Sequence, residues 1–271
     1  MKMKKAIVLT AVILLSTAGL AHPQEDELHG VIDITYQSSY MWRGFDWYGR
    51  GGHSAIQPSI DLDLYGTGFG VNLLWSRANT SGYENKEWLV TTLYYGNSLF
   101  EGETYATDYK IGWVYYNYPD NPRAGGTSKG VAVADMQEIF AALSWPDIFP
   151  MGIVPSYTVI HLWPARSGSL IMGADGWLHI FGLGYDLTAP PILPETTEQV
   201  LHLSAAAVYN DGMGAATVDH DWSHAVFGVS TNFDLGYDLT FIPALYYQSS
   251  WDSSVNPDDE TWVSLSVQYK F

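Results

Sequence analysis

The nine residues Val263-Ser264-Leu265-Ser266-Val267-Gln268-Tyr269-Lys270-Phe271 alternate apolar and polar side chains without interruption and end on a phenylalanine. Successive side chains of a strand point to opposite faces. Val263, Leu265, Val267, Tyr269 and Phe271 therefore make one continuous apolar face, and Ser264, Ser266, Gln268 and Lys270 make a polar one. A strand with one face for lipid and one for water belongs in a transmembrane barrel or at the edge of a soluble sandwich. Phe271, Tyr269 and Val267 on the lipid face also resemble the signal that the barrel-assembly machinery reads on the closing strand of bacterial outer-membrane proteins.

The other end carries Lys2, Lys4 and Lys5, an uncharged run over 6–15, and Gly19-Leu20-Ala21 as a small-x-small cleavage site. This pattern predicts a secretory signal peptide over 1–21 and a single barrel domain over 22–271. The apolar run is shorter than the ~20 residues that a membrane helix needs, and no later segment approaches that length. Cleavage would leave 9 Lys+Arg against 29 Asp+Glu, since three of the 12 basic residues go, for a formal charge of −20. Such a charge excludes a duplex nucleic-acid partner. With no cysteine, the chain has neither a disulfide framework nor a thiolate metal site, and nothing in it calls for a cofactor.

Segments of period-2 alternation bounded by Gly, Pro, Asn and Asp recur about every twenty residues. They fall at 30–42, 54–65, 68–77, 86–96, 104–117, 134–145, 152–163, 176–187, 198–210, 222–233, 237–249 and 260–271. Twelve is an even number, as a single-chain bacterial barrel requires, and each segment covers the ~9–11 residues of a tilted membrane strand. The fold class is therefore all-β, a transmembrane up-and-down antiparallel β-barrel. Loop lengths agree with both termini on the periplasmic side: 43–52, 78–85, 118–133, 164–175, 211–221 and 250–259 are long and polar, whereas 65–68 and 234–236 are tight. Two connections, 97–103 and 188–197, are long for periplasmic turns. Pro58, Pro155 and Pro243 stand inside predicted strands, where each removes a ladder hydrogen bond.

Aromatic residues make up 15% of the chain, with 11 Trp and 19 Tyr. Barrels carry such rings in two girdles at the headgroup levels. Tyr94-Tyr95, Tyr115-Tyr116, Trp145, Trp163, Trp251 and Trp262, near predicted strand ends, are expected to supply them.

Tyr40-Met41-Trp42-Arg43-Gly44, Gln57-Pro58-Ser59-Ile60-Asp61 and the run Tyr109-Lys110-Ile111-Gly112-Trp113-Val114-Tyr115-Tyr116-Asn117-Tyr118-Pro119 resemble motifs of the TorF-type porin family. The likeness covers the N-terminal half and the last strand. It implies an outer-membrane barrel of a Gram-negative cell with a pore function, and it brings no catalytic residues.

Asp33, Asp61 and Asp63 fall on the polar faces of the first two strands, where carboxylates along a low-dielectric wall favour cations. With Arg43 and Lys110 they are the candidate pore-lining residues. Two readings stay open: a cation-preferring channel, or a hydrogen-bonded plug in which these acids meet Lys110, Lys270 and Arg43. Arg43 itself either binds anionic groups at the mouth or pairs with barrel carboxylates and pins its loop, with Gly44 supplying a turn conformation. His202 and Ser204 share one strand face, an arrangement reminiscent of barrel lipases in which a histidine activates a serine at the lipid boundary. The stretch 219–224, with Asp219, His220, Asp221 and His224, is either a divalent-cation site in an outer loop or a solvated acidic loop.

The expected function is passive diffusion of small hydrophilic solutes, cationic or neutral, with no chemical step. The expected partners are outer-membrane lipid, lipopolysaccharide, the assembly machinery and the solutes. A closed structural or adhesive barrel acting through its outer loops, and a barrel-embedded lipid hydrolase, are the alternatives.

Overall fold

The computed structural model describes residues 27–49, 53–120, 135–165, 175–190, 198–215 and 217–271. The signal peptide expected over 1–21 lies outside these residues. Twelve long strands run along the chain: β1 His29–Gln37, β2 Ala55–Asp63, β3 Phe69–Ala78, β4 Trp88–Leu99, β5 Thr107–Asn117, β6 Met136–Ser144, β7 Val154–Pro164, β8 Gly176–Ala189, β9 Gln199–Asp211, β10 His220–Thr231, β11 Leu239–Ser250 and β12 Glu260–Lys270. Each pairs antiparallel with its sequence neighbours, and β12 returns to pair with β1, from Val31↔Lys270 to Gln37↔Ser264. The sheet is a closed ring with no edge, the condition for a β structure to span lipid. Among the described residues no helix is long and apolar enough to cross a membrane.

Alternation sorts the side chains. Ile32, Ile34, Leu73, Leu93, Ile111, Ile139, Phe181, Leu203, Phe227, Leu245, Leu265 and Val267 point outward and form an exposed apolar band. Aromatic rings flank the band at both levels. Trp75, Trp177, Trp222, Tyr247 and Trp251 lie toward the longer loops, and Tyr65, Phe69, Phe100, Tyr105, Tyr185, Tyr237, Tyr269 and Phe271 lie toward the termini. The girdle expectation needs a correction: Tyr116 and Trp262 are buried inside the barrel, and Tyr94 also faces inward, its hydroxyl on Asp61.

Three sequence boundaries shift for physical reasons. The first strand, expected to reach residue 42, stops at Gln37. Tyr40, Met41, Trp42, Arg43 and Gly44 are buried in succession, which no alternating strand permits, and the chain turns into the barrel there. The turn expected at 234–236 is at Tyr237–Asp238, whose φ values of 55° and 62° fit a two-residue type I′ hairpin; Phe233–Gly236 continues β10 against β11. The prolines are accommodated without bulges. Between β2 and β3 the pairs Ile56↔Arg77 and Ser59↔Leu74 keep one register with Gln57 and Pro58 unpaired between them. Between β10 and β11 the ladder stops at Ser230↔Ala244 and resumes at Phe233↔Phe241, so Pro243 falls in the gap. Pro155 is the second residue of β7.

The protein's core is inside the barrel, in the half toward the longer loops. Tyr40, Trp42 and Tyr48 from the first loop pack there against Trp88, Tyr116, Tyr118, Met136, Ile160, Leu162, Leu178 and Val208 from the wall.

Candidate functional site: the lumen

The half of the lumen nearer the termini is lined by small and polar side chains. On β1, Asp33 accepts hydrogen bonds from the hydroxyls of Thr35 and of Ser266 on β12. On β2, Asp61 accepts the Tyr94 hydroxyl at 2.5 Å and the Asn72 amide at 3.2 Å. The Tyr94 ring lies along the wall rather than into the axis because Gly70 of the neighbouring strand has no side chain; a Cβ there would sit 2.1 Å from the ring. Lys110 of β5 rests its ammonium over that ring, 4.2 Å from the centroid, the geometry of a cation–π contact. Asp61 and Lys110 are thus gathered around one tyrosine. Asp33 lies on the adjacent strand, level with Ser59. Asp63 instead closes the turn below, accepting Gly66 N–H at 2.9 Å. Lys270 is exposed on the last strand.

On β8 and β9, His202 Nδ1 meets Asp186 Oδ1 at 2.7 Å. Ser204 leans toward β10, its Oγ 2.6 Å from where a Cβ of Gly228 would stand. Both residues are half-buried on the inner face, while the exposed Leu203 between them points to lipid. The lipid-boundary arrangement expected of a barrel lipase is therefore corrected: this pair faces the lumen.

The other half of the lumen is occupied by the first loop. Met41–Trp42 and Phe45–Asp46 form a two-rung hairpin. Arg43 at its tip holds a left-handed φ of 53° and Gly44 one of 91°. The Arg43 guanidinium donates from Nη2 to both Glu138 oxygens at 2.8 and 2.7 Å and to the Tyr116 hydroxyl at 3.3 Å. The Arg43 and Glu138 side chains are 4% and 3% exposed, so this is a buried ion pair. Of the two readings left open for Arg43, the geometry selects pairing with a barrel carboxylate. Gly44 is pressed against His224, with its carbonyl accepting the Gln248 amide at 2.9 Å. Met41 packs with Ala244, Tyr246 and Trp262. Trp47 stacks on Trp88 at 4.4 Å, and its indole donates to the Lys86 carbonyl at 3.0 Å. Burial first, and the Glu260 carboxylate second, push the Asp46 carboxyl up to about 6; burial likewise pushes the Tyr48 phenol up to about 12.

The stretch 219–224 divides. His220 is exposed and pairs with Asp211, whereas His224 is buried and bonds Ser223 at 2.8 Å. Among the described residues no group of three or more His, Asp and Glu is placed to hold a metal. The loop 118–133 falls mostly outside the described residues. At the chain end, Val267, Tyr269 and Phe271 are all outward, and Phe271 exchanges backbone hydrogen bonds with Gly30 at 2.9 and 3.0 Å.

Sequence reasoning missed Glu138 and Gln248, and read His224 as part of an outer loop. Each occupies an inward position of a predicted strand, so the alternation places them in the lumen. Nothing local, however, indicates that they meet a loop from the far end of the chain.

No protein-family model matches the chain, and no curated protein matches it in sequence. Among solved structures, the KdgM porin superposes with a TM-score of 0.50 over 89% of this chain and 99% of its own, at 10% identity. The NanC porin gives 0.50 over 89% and 100%, at 11% identity. At these identities the likeness is one of fold, a closed antiparallel barrel.

Proposed function

We propose that this barrel is an outer-membrane diffusion channel of the porin type, passing small hydrophilic solutes with a preference for cationic and neutral ones. The observation that carries the reading is the terminus-side half of the lumen. There the wall presents Asp33, Thr35, Ser59 and Asp61, which stay partly exposed beside the buried Asn72, Thr92 and Ser266, inside a barrel whose exterior is apolar. Such a wall is suited to water and not to a packed core. Asp33, Asp61 and Asp186 give the inner wall a negative field that Lys110, beside Asp61, offsets in part, and Arg43 is neutralised by Glu138. The TorF-type motifs, the secretory signal and the closing strand all fit an exported outer-membrane protein surrounded by lipopolysaccharide and inserted by the barrel-assembly machinery. The fold shared with two proteins described as porins accords with this reading. No chemical step belongs to it.

One observation favours a second reading, a closed structural barrel acting through its outer loops: the first-loop hairpin fills the far half of the lumen. Liposome swelling separates the two. Proteoliposomes diluted into isosmotic small sugars or amino acids swell if the barrel is a channel. Absence of swelling from protein whose heat-modifiable gel mobility proves it folded would leave the closed barrel.

A further inference from the structure

The hairpin is tied to opposite walls. In a ring of twelve strands, β5 and β11 lie across a diameter, as do β6 and β12. Arg43 reaches Tyr116 on β5 and Glu138 on β6. Gly44 and Met41, its neighbours in sequence, contact Gln248 on β11 and Trp262 on β12. The segment therefore bridges the full width of the lumen.

Its attachment differs in kind from that of the barrel strands. The hairpin's ladder is internal, Met41↔Asp46 and Trp42↔Phe45, with Trp47 N–H closing on the Tyr40 carbonyl at 2.9 Å. Ser38, whose N–H donates to the Val263 carbonyl at 2.9 Å, is the last residue tied to the wall by its backbone; beyond it side-chain contacts hold the hairpin, so residues 39–48 can leave the lumen without breaking a rung of the barrel. The docked position also strands polar atoms at the boundary. Arg43 Nε and Nη1, Asp46 Oδ1, Gln248 Oε1 and the Trp88 and Trp262 indole nitrogens are buried without a hydrogen-bond partner among the described residues. Unpaired buried groups cost free energy that a docked core of aromatic rings must offset, which narrows the gap between docked and withdrawn states. The polar contact with the most at stake is the Arg43–Glu138 pair, because removing one partner of a buried ion pair leaves the other charge uncompensated.

We infer that residues 39–48 are a displaceable plug that determines what passes the outer half of the lumen, and that Glu138 is the positioning residue that holds it docked. The inference deepens the channel reading and rests on it for its consequence, but plug movement has a readout independent of conduction. The chain has no cysteine, so Met41→Cys introduces a single thiol at a site that is 1% exposed in the docked state. Its rate of labelling by a bulky, membrane-impermeant maleimide in the refolded barrel reports withdrawal of the plug. Adding Glu138→Gln is expected to raise that rate about tenfold or more, with heat-modifiable mobility unchanged. The exchanged pair Arg43→Glu with Glu138→Arg is expected to bring it back down, which loss of general packing would not do. Gln248→Ala, which cuts the opposite anchor, serves as the second variant should Glu138→Gln fail to fold. A labelling rate indifferent to both substitutions overturns the inference. Labelling that rises while bilayers stay silent supports the plug and removes the channel reading alone.

Discussion

Asp46 shows how one residue couples the plug to solvent. Its carboxyl sits half-buried near Glu260, with His53 and Lys86 as the compensating positive groups, and its pKa is raised from 3.8 to about 6. An acid whose pKa is raised on docking binds its proton more tightly docked than free. The docked state is thus strengthened as pH falls from about 6 toward 4, weakened as pH rises through that window, and indifferent above it. The rate of maleimide labelling of Met41→Cys, divided by that of a small free thiol at the same pH because only the thiolate reacts, should therefore slow when the buffer is taken from about pH 7 to about pH 4.5, and Asp46→Asn should remove that normalised slowing. A rate that accelerates on acidification would show that another group dominates. Legibility at this scale was uneven. Asp33, Asp61 and Asp63 could be placed on the inner face from alternation, but their partners could not, because Tyr94 reaches Asp61 across an intervening strand. Arg43 stood out through its motif, and the choice between a free mouth residue and a paired one stayed open. Glu138 lies 95 residues further on, and a glutamate on the polar face of a strand reads the same whether it meets water or a guanidinium.

The strands were the most legible elements, because one face must meet lipid and the other must not, and that demand writes a period of two into every crossing. Closure is where β1 and β12 meet. Gly30 accepts and donates backbone hydrogen bonds with Phe271, and a Cβ on Gly30 would lie 2.7 Å from the Phe271 ring and 2.9 Å from the Asp61 carbonyl. Gly30→Val should consequently displace the terminal ring and destabilise the refolded barrel by about 1–3 kcal/mol, read as a lowered urea midpoint. An unchanged midpoint would mean the terminal ring contributes nothing to closure. The prolines inside the strands are tolerated for a reason sequence does not carry: Pro58 and Pro243 sit where one neighbour's ladder is interrupted and then resumes in register. The end of β1 was misplaced because Tyr40, Met41 and Trp42 have the composition of a strand. Only their uninterrupted burial distinguishes them.

Over the whole molecule, aromatic content and acidity have two destinations each. Part of the aromatic complement forms the girdles expected of a barrel in lipid, and part fills the lumen behind the first loop, a use that composition alone does not separate from the first. The negative charge similarly divides between outer loops and the inner wall, where Asp33, Asp61 and Asp186 face the lumen together with Lys110 and His202. The central claim is that this wall conducts and selects cations. The measurement that tests it most directly is the reversal potential of the refolded protein in a planar bilayer under a salt gradient. Stepwise currents with a cation-selective reversal potential, moved toward zero by Asp61→Asn, are the expected result. An anion-selective potential, or silence from a folded barrel both at neutral pH and with Glu138→Gln releasing the plug, would contradict the claim.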